Sequence, residues 1–213
     1  IIYDDESLWI STTDGLFNYH NGSLTEVLPE TGIQNIELYD RDNILMATTL
    51  GLKLLNINKL TFEYIIKYKN ENEMEVSSLF YDPTTRLIWL GTISNGILCY
   101  KAGASGIEQL PTAHLPHQPV LTIKKDVETS NLFVCIDGQG LWELSGDGKT
   151  VISIHKEDVN DPYSLQGDGV YDVLPDEERT WVATYTGGLS YMEHKLYSIN
   201  HIMHQTNQSN SLR

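Results

Sequence analysis

A chain that repeats one short pattern at a near-constant interval folds as an array of like units, and this one repeats its pattern five times. The segments LWISTTDGLFNY (8–19), ILMATTLGLKLL (44–55), IWLGTISNGILCY (88–100), LFVCIDGQGLWEL (132–144) and TWVATYTGGLSYM (180–192) share one layout. Each carries a bulky anchor near its start: Trp9, Leu45, Trp89, Phe133 and Trp181. Six or seven positions later stands a glycine, Gly15, Gly51, Gly96, Gly140 and Gly188, with a branched aliphatic residue directly after it. Successive anchors lie 36, 44, 44 and 48 residues apart, the differences between positions 9, 45, 89, 133 and 181. Among the common repeat classes that interval belongs to β-propeller blades.

Helical repeats of similar length are excluded by local pattern, because the segments are short, rich in β-branched and aromatic residues, and broken by glycine. The fifth repeat reads as a strand at 169–174, a polar turn at 175–179, a second strand at 180–184, a glycine turn at 185–188 and a third strand at 189–192. A shorter fourth strand is expected at 196–199, and the third repeat divides the same way at 76–81, 87–91, 96–100 and 107–110. Such sheets are apolar on both faces and must stack around an axis, with the anchors filling the seams. A buried Trp covers roughly 150–250 Å², which at about 25 cal/mol per Å² amounts to about 4–6 kcal/mol as an upper bound. The expected fold is all-β: five four-stranded antiparallel β-propeller blades, at approximately 1–28, 33–68, 76–110, 119–154 and 169–202, with a further repeat opening at 203–213.

The strings Ile88-Trp89-Leu90-Gly91-Thr92 and Trp181-Val182-Ala183-Thr184-Tyr185-Thr186-Gly187-Gly188-Leu189 resemble the two-component regulator propeller repeat. Asn160-Asp161-Pro162-Tyr163-Ser164-Leu165 resembles the connector that family places between blades, and 207–212 looks like the next one. Repeats two and four depart from the pattern, with Leu45 and Phe133 in place of Trp, and Ala47 and Cys135 in place of Gly91. The resemblance implies a periplasmic, glycan-sensing portion of a hybrid two-component receptor. In that family seven-bladed propellers precede a membrane helix and a histidine kinase. Five repeats are fewer than seven, so the array is expected to be an open arc. Its exposed ends would be covered by further blades or by a second chain, with a homodimer as the expected assembly. Membrane attachment would come only through other regions of the parent polypeptide.

Fourteen Lys and Arg stand against 29 Asp and Glu, a formal charge of −15, with no basic cluster. That balance repels phosphate backbones and sets nucleic-acid binding aside. The first residues, Ile1 to Asp5, are neither an initiator Met nor a signal peptide and read as the inside of a strand, as in a piece of a longer polypeptide. Cys99 and Cys135 sit in apolar strand contexts and read as buried small hydrophobes.

Chemistry is sparse. No G-x-S-x-G, H-E-x-x-H or P-loop string is present, and no cofactor is expected. Glycoside hydrolysis needs two carboxyls roughly 5–10 Å apart, whereas the sequence-adjacent acids 4–5, 71–75 and 176–178 fall in turns. His114 with His117, and His201 with His204, lack a carboxylate or Cys at ligand spacing, so no metal site is expected. The turns between second and third strands vary from repeat to repeat, and there Asp14, Asn95, Asp137, Gln139 and Tyr185 offer hydrogen bonds and a stacking face suited to a sugar. Asp, Asn and Gly are also what hairpin turns use in any case. A propeller lyase or glycosidase and a protein-interaction scaffold are the alternatives to a glycan sensor.

Overall fold

The computed structural model describes residues 1–4, 7–29, 32–69, 74–103, 106–161 and 163–193. All regular structure among them is β. The first sheet holds β1 (Ile2–Asp4), β2 (Ser7–Ser11), β3 (Leu16–His20) and β4 (Ser23–Leu28), and the second β5 (Ile33–Leu38), β6 (Asn43–Thr48), β7 (Gly51–Asn56) and β8 (Thr61–Lys67). The third holds β9 (Val76–Asp82), β10 (Leu87–Thr92), β11 (Ile97–Gly103) and β12 (Gly106–Leu110). The fourth holds β13 (Val120–Lys125), β14 (Leu132–Ile136), β15 (Gly140–Leu144) and β16 (Val151–His155). In the fifth, β17 (Val170–Pro175), β18 (Arg179–Thr184) and β19 (Gly188–Glu193) are described. Within each sheet the strands follow chain order and every neighbour is antiparallel. These are the propeller blades read from the repeat; the fourth strand expected at 196–199 and the further repeat from 203 lie outside the described residues.

The leading strands β1, β5, β9, β13 and β17 pack on one another in succession, so they are innermost, and the later strands lie progressively farther out. Each anchor enters the seam with the following sheet. Trp9 packs against Ile36, Ile44 and Met46 of the second sheet, and Leu45 against Val76, Leu79 and Ile88 of the third. Trp89 lies among Val120, Ile123 and Val134 of the fourth, and Phe133 against Val170, Val173 and Val182 of the fifth. These four anchors are 6%, 0%, 0% and 4% exposed, whereas Trp181, which has no described sheet beyond it, is only half-buried.

Two positions after each anchor comes a small residue, Ser11, Ala47, Gly91, Cys135 or Ala183, because the sheets converge there. A Cβ on Gly91 would run into Ser78 Oγ and come within 2.7 Å of Val120 Cγ1 across the seam. Cys135 occupies this column in the fourth sheet, and Cys99 lies on β11 of the third, opposite Trp89; both are fully buried free thiols, and burial pushes Cys99 up to about 12 and Cys135 higher still. Among the described residues the first and fifth sheets make no extensive contact, so the stack is an open arc. Its last face presents Leu174, Trp181, Ala183 and Leu189 around an apolar depression of about 380 Å³.

Candidate functional site

The turns after each second strand mark one rim of the arc, and a threonine builds most of them. Thr48 Oγ1 donates to Gly51 O at 2.9 Å, and Thr92 Oγ1 donates to Gly96 O at 2.9 Å while accepting the Asn95 amide at 2.8 Å. Thr12 closes its turn onto Gly15 at 3.1 Å and Thr184 closes its own onto Gly188 at 3.3 Å. The threonine in the Trp-x-Gly-Thr string is thus a turn clasp. Gly51, Gly96, Gly140 and Gly188 take positive φ, but Gly15 does not; its place is set by the Leu28 carbonyl, 2.7 Å from where a Cβ would stand.

Beside these turns the inner strands are irregular. Register slips at the start of β5, β9, β13 and β17 leave Gln34, Ser77, Leu121 and Tyr171 without a cross-strand partner, an inner-strand bulge in each of the second to fifth sheets. A bulge re-aims side chains and frees main-chain groups. Here the freed groups tie the sheets together. Asn35 Nδ2 donates to Ser77 O at 3.3 Å, Gln34 Oε1 accepts the Val76 amide at 3.2 Å, Ser77 Oγ donates to Val120 O at 2.7 Å, and Thr122 Oγ1 donates to Tyr171 O at 3.0 Å.

On this rim the structure places all five residues singled out as sugar contacts, with Asp14, Asn95, Asp137 and Tyr185 exposed and Gln139 half-buried. Each belongs to its own blade's turn except Asp137 and Gln139, which share one. Gln139 Oε1 is engaged by Lys156 Nζ at 3.1 Å. Tyr185 has a companion the sequence did not announce: the bulge residue Tyr171 stacks on it at 5.6 Å with the rings 27° apart, and the two are 51% and 77% exposed for Tyr171 and Tyr185 respectively. His117 also reaches the rim, donating from Nδ1 to Ser94 O at 2.9 Å, with His114 edge-on to it at 5.7 Å. Among the described residues no three His, Cys, Asp or Glu groups gather closely enough to hold a metal ion.

Deeper along the axis, Glu37, Phe80, Lys124 and Leu174 occupy equivalent register positions, opposite the four anchors from Leu45 to Trp181. Burial pushes the Glu37 carboxyl up to about 7, against the lowering pull of Lys124 and of the amino terminus. On the opposite rim the inner strands end at Asp82, whose carboxylate takes Lys125 Nζ at 2.6 Å and Thr85 Oγ1 at 2.7 Å.

No protein-family model matches the chain, and no curated protein matches it. Solved structures do. The extracellular domain of B. thetaiotaomicron BT4673, assigned as a hybrid two component system, aligns with TM-score 0.70 and 23% identity over 88% of this chain and 26% of its own. The extracellular domain of the B. thetaiotaomicron hybrid two component system BT3049 aligns with TM-score 0.66 and 18% identity over 88% and 25%. PorZ of Porphyromonas gingivalis, a surface component of the type-IX secretion system, aligns with TM-score 0.54 and 12% identity over 89% and 37%. The likeness is one of fold, and the chain spans about a quarter of the length of the two-component ectodomains it matches.

Proposed function

We propose that the chain is a ligand-sensing segment of a hybrid two-component receptor, held on the periplasmic side, which recognises an oligosaccharide by binding and shape change without chemistry. The observation that carries this reading is the shared blade architecture with two such ectodomains across 88% of the chain. The rim adds suitable recognition chemistry. Tyr171 and Tyr185 give an exposed aromatic platform, and Asp14, Asn95, Asp137 and Gln139 give hydrogen-bonding groups on neighbouring turns. The bulge contacts from Gln34, Asn35, Ser77 and Thr122 run from sheet to sheet beside that platform, a route by which occupancy would alter blade packing. The apolar face bearing Trp181, which no other described residues cover, supports a second copy of the chain as its partner.

Calorimetric titration with a panel of plant and host oligosaccharides tests this. Saturable heat with one class and unchanged sugar on recovery are expected, and Tyr185→Ala should weaken that binding. No heat with any member refutes the sensor, and cleavage of the sugar replaces it with an enzyme. The fold shared with PorZ favours a protein-interaction scaffold as second reading, which predicts capture of a protein partner that no sugar displaces.

A further inference from the structure

We propose that a groove crossing the seam between the first and second sheets, on the rim opposite the tyrosine platform, is a second binding surface, built for an extended neutral oligosaccharide. This inference rests on the sugar-sensing reading above. Toward the axis the groove is a cavity of about 810 Å³ and toward the periphery a cavity of about 720 Å³, with Ser7, Trp9, Asn18 and Ile57 as shared wall. Each volume falls within the roughly 300–1,000 Å³ usual for ligand pockets. The turns that frame it, 39–42 and 57–60, join first to second and third to fourth strands, which places it at the far ends of the strands from the bulges.

Three features define its occupant. At the inner end the exposed Tyr3 and the half-buried Tyr39 present aromatic surface, with Tyr39 backed at 4.5 Å by the buried Tyr81, and the edge of the buried Trp9 forms the floor of the middle. Sugar rings present flat C–H faces to such surfaces and hydroxyls at their edges. Burial and a hydrogen bond to Tyr39 push the Tyr81 hydroxyl up to about 12, so it stays a protonated phenol. Asn18, on the shared wall, carries the one buried side-chain polar atom among the described residues that lacks a hydrogen-bond partner, its Nδ2. Such an amide calls for an acceptor that the protein does not supply.

Asp40 and Arg41 add one charge of each sign at the inner end, Glu26 adds a further negative charge at the periphery, and the chain carries a formal charge of −15, a setting that disfavours a polyanion. The peripheral half is walled by Ser23, Thr25, Glu26 and Val27 of β4, the outer strand of the first sheet, so a polypeptide pairing with that edge is the competing occupant, and protection of β4 by a peptide but by no sugar would overturn the proposal.

The test is hydrogen exchange and calorimetry on the full chain with cellohexaose and xylohexaose, with hexagalacturonate as the anionic probe. A neutral hexaose should protect 16–28 and 38–60, and Asn18→Ala and the exposed Arg41→Ala should each weaken it by about tenfold or more, a step of about 1.4 kcal/mol. Protection confined to 137–139 and 171–188, with affinity lost in Tyr185→Ala and retained in both groove variants, overturns the groove and leaves the sensor reading standing. Tighter binding of hexagalacturonate overturns the neutral ligand. Silence of both neutral hexaoses at about 1 mM, a binding energy near 4 kcal/mol, overturns the groove, while heat with other sugars of the panel would still uphold the sensor.

Discussion

Trp89→Ala and Trp181→Ala delete the same side chain from the same position of two repeats, yet the structure predicts unequal losses. Trp89 is fully buried, and its ring lies so close to Gly148 of the fourth sheet that a Cβ there would overlap it. Removing roughly 150–250 Å² of buried indole at about 25 cal/mol per Å² gives about 4–6 kcal/mol; partial collapse and a compact unfolded state bring that to about 3–5 kcal/mol. Trp181 is half-buried against Leu174 and Tyr191 of its own sheet, so its truncation should cost about 1–2 kcal/mol. Urea unfolding followed by far-UV circular dichroism gives both numbers. Because stacked repeats can unfold piecemeal, hydrogen exchange of β10 and β13–β15 should be read alongside, and Trp89→Ala should loosen both sides of its seam together. Equal losses for the two variants, or a Trp89→Ala loss below about 1 kcal/mol, would refute the seam-anchor account.

Asp82→Asn removes a carboxylate that burial alone would raise but that hydrogen bonds from Lys125, Thr85 and the Thr84 amide hold below its ordinary value. Its contribution is therefore complete above the unfolded value of about 3.9 and lost as pH falls through the lower folded one; urea midpoints should show a deficit of about 1–3 kcal/mol at pH 7 that closes toward pH 2. Glu37 has the opposite sign: with the carboxyl raised to about 7, stability is full below the unfolded value and declines as pH climbs toward neutrality. Glu37→Gln should match the parent near pH 4 and exceed it at pH 8 in thermal melts. Gly51→Ala places a Cβ against the Ile66 carbonyl at a φ of 143°, and should cost more than about 1 kcal/mol by urea unfolding. In sedimentation velocity the chain should associate with rising concentration, and Leu189→Glu, on the exposed last face of the described sheets, should suppress it.

The blade pattern was legible because burial writes itself into the sequence at fixed distance: an anchor, a small residue two positions on, and a glycine at the turn. The turn threonines were equally visible, at Thr12, Thr48, Thr92 and Thr184, though their role as clasps needed the hydrogen bonds. The bulges left no such trace. Gln34, Ser77, Leu121 and Tyr171 share no chemistry, and the extra residue breaks the two-residue alternation by which strands are read. That is why Tyr185 could be picked out alone and its stacking partner could not. The seam groove was less visible still, since Trp9, Asn18, Tyr39 and Tyr81 come from four strands or turns of three successive sheets and meet only where those sheets do.

The same seam rule gives the arc a polarity. Each internal seam joins the anchor face of one sheet to the opposite face of the next, as Trp89 joins Val134 and Phe133 joins Val173. Among the described residues what remains at the ends is one face of each kind: the anchor face of the fifth sheet, with Leu174, Trp181, Leu189 and Tyr191, and the opposite face of the first, where register aligns Tyr3, Leu8, Tyr19 and Leu24. Two copies meeting through one face of each kind would repeat an internal seam, whereas two last faces meeting would set Trp181 against Trp181, an arrangement found nowhere inside the array. A head-to-tail contact is heterologous and leaves a fresh pair of ends unless it closes into a ring.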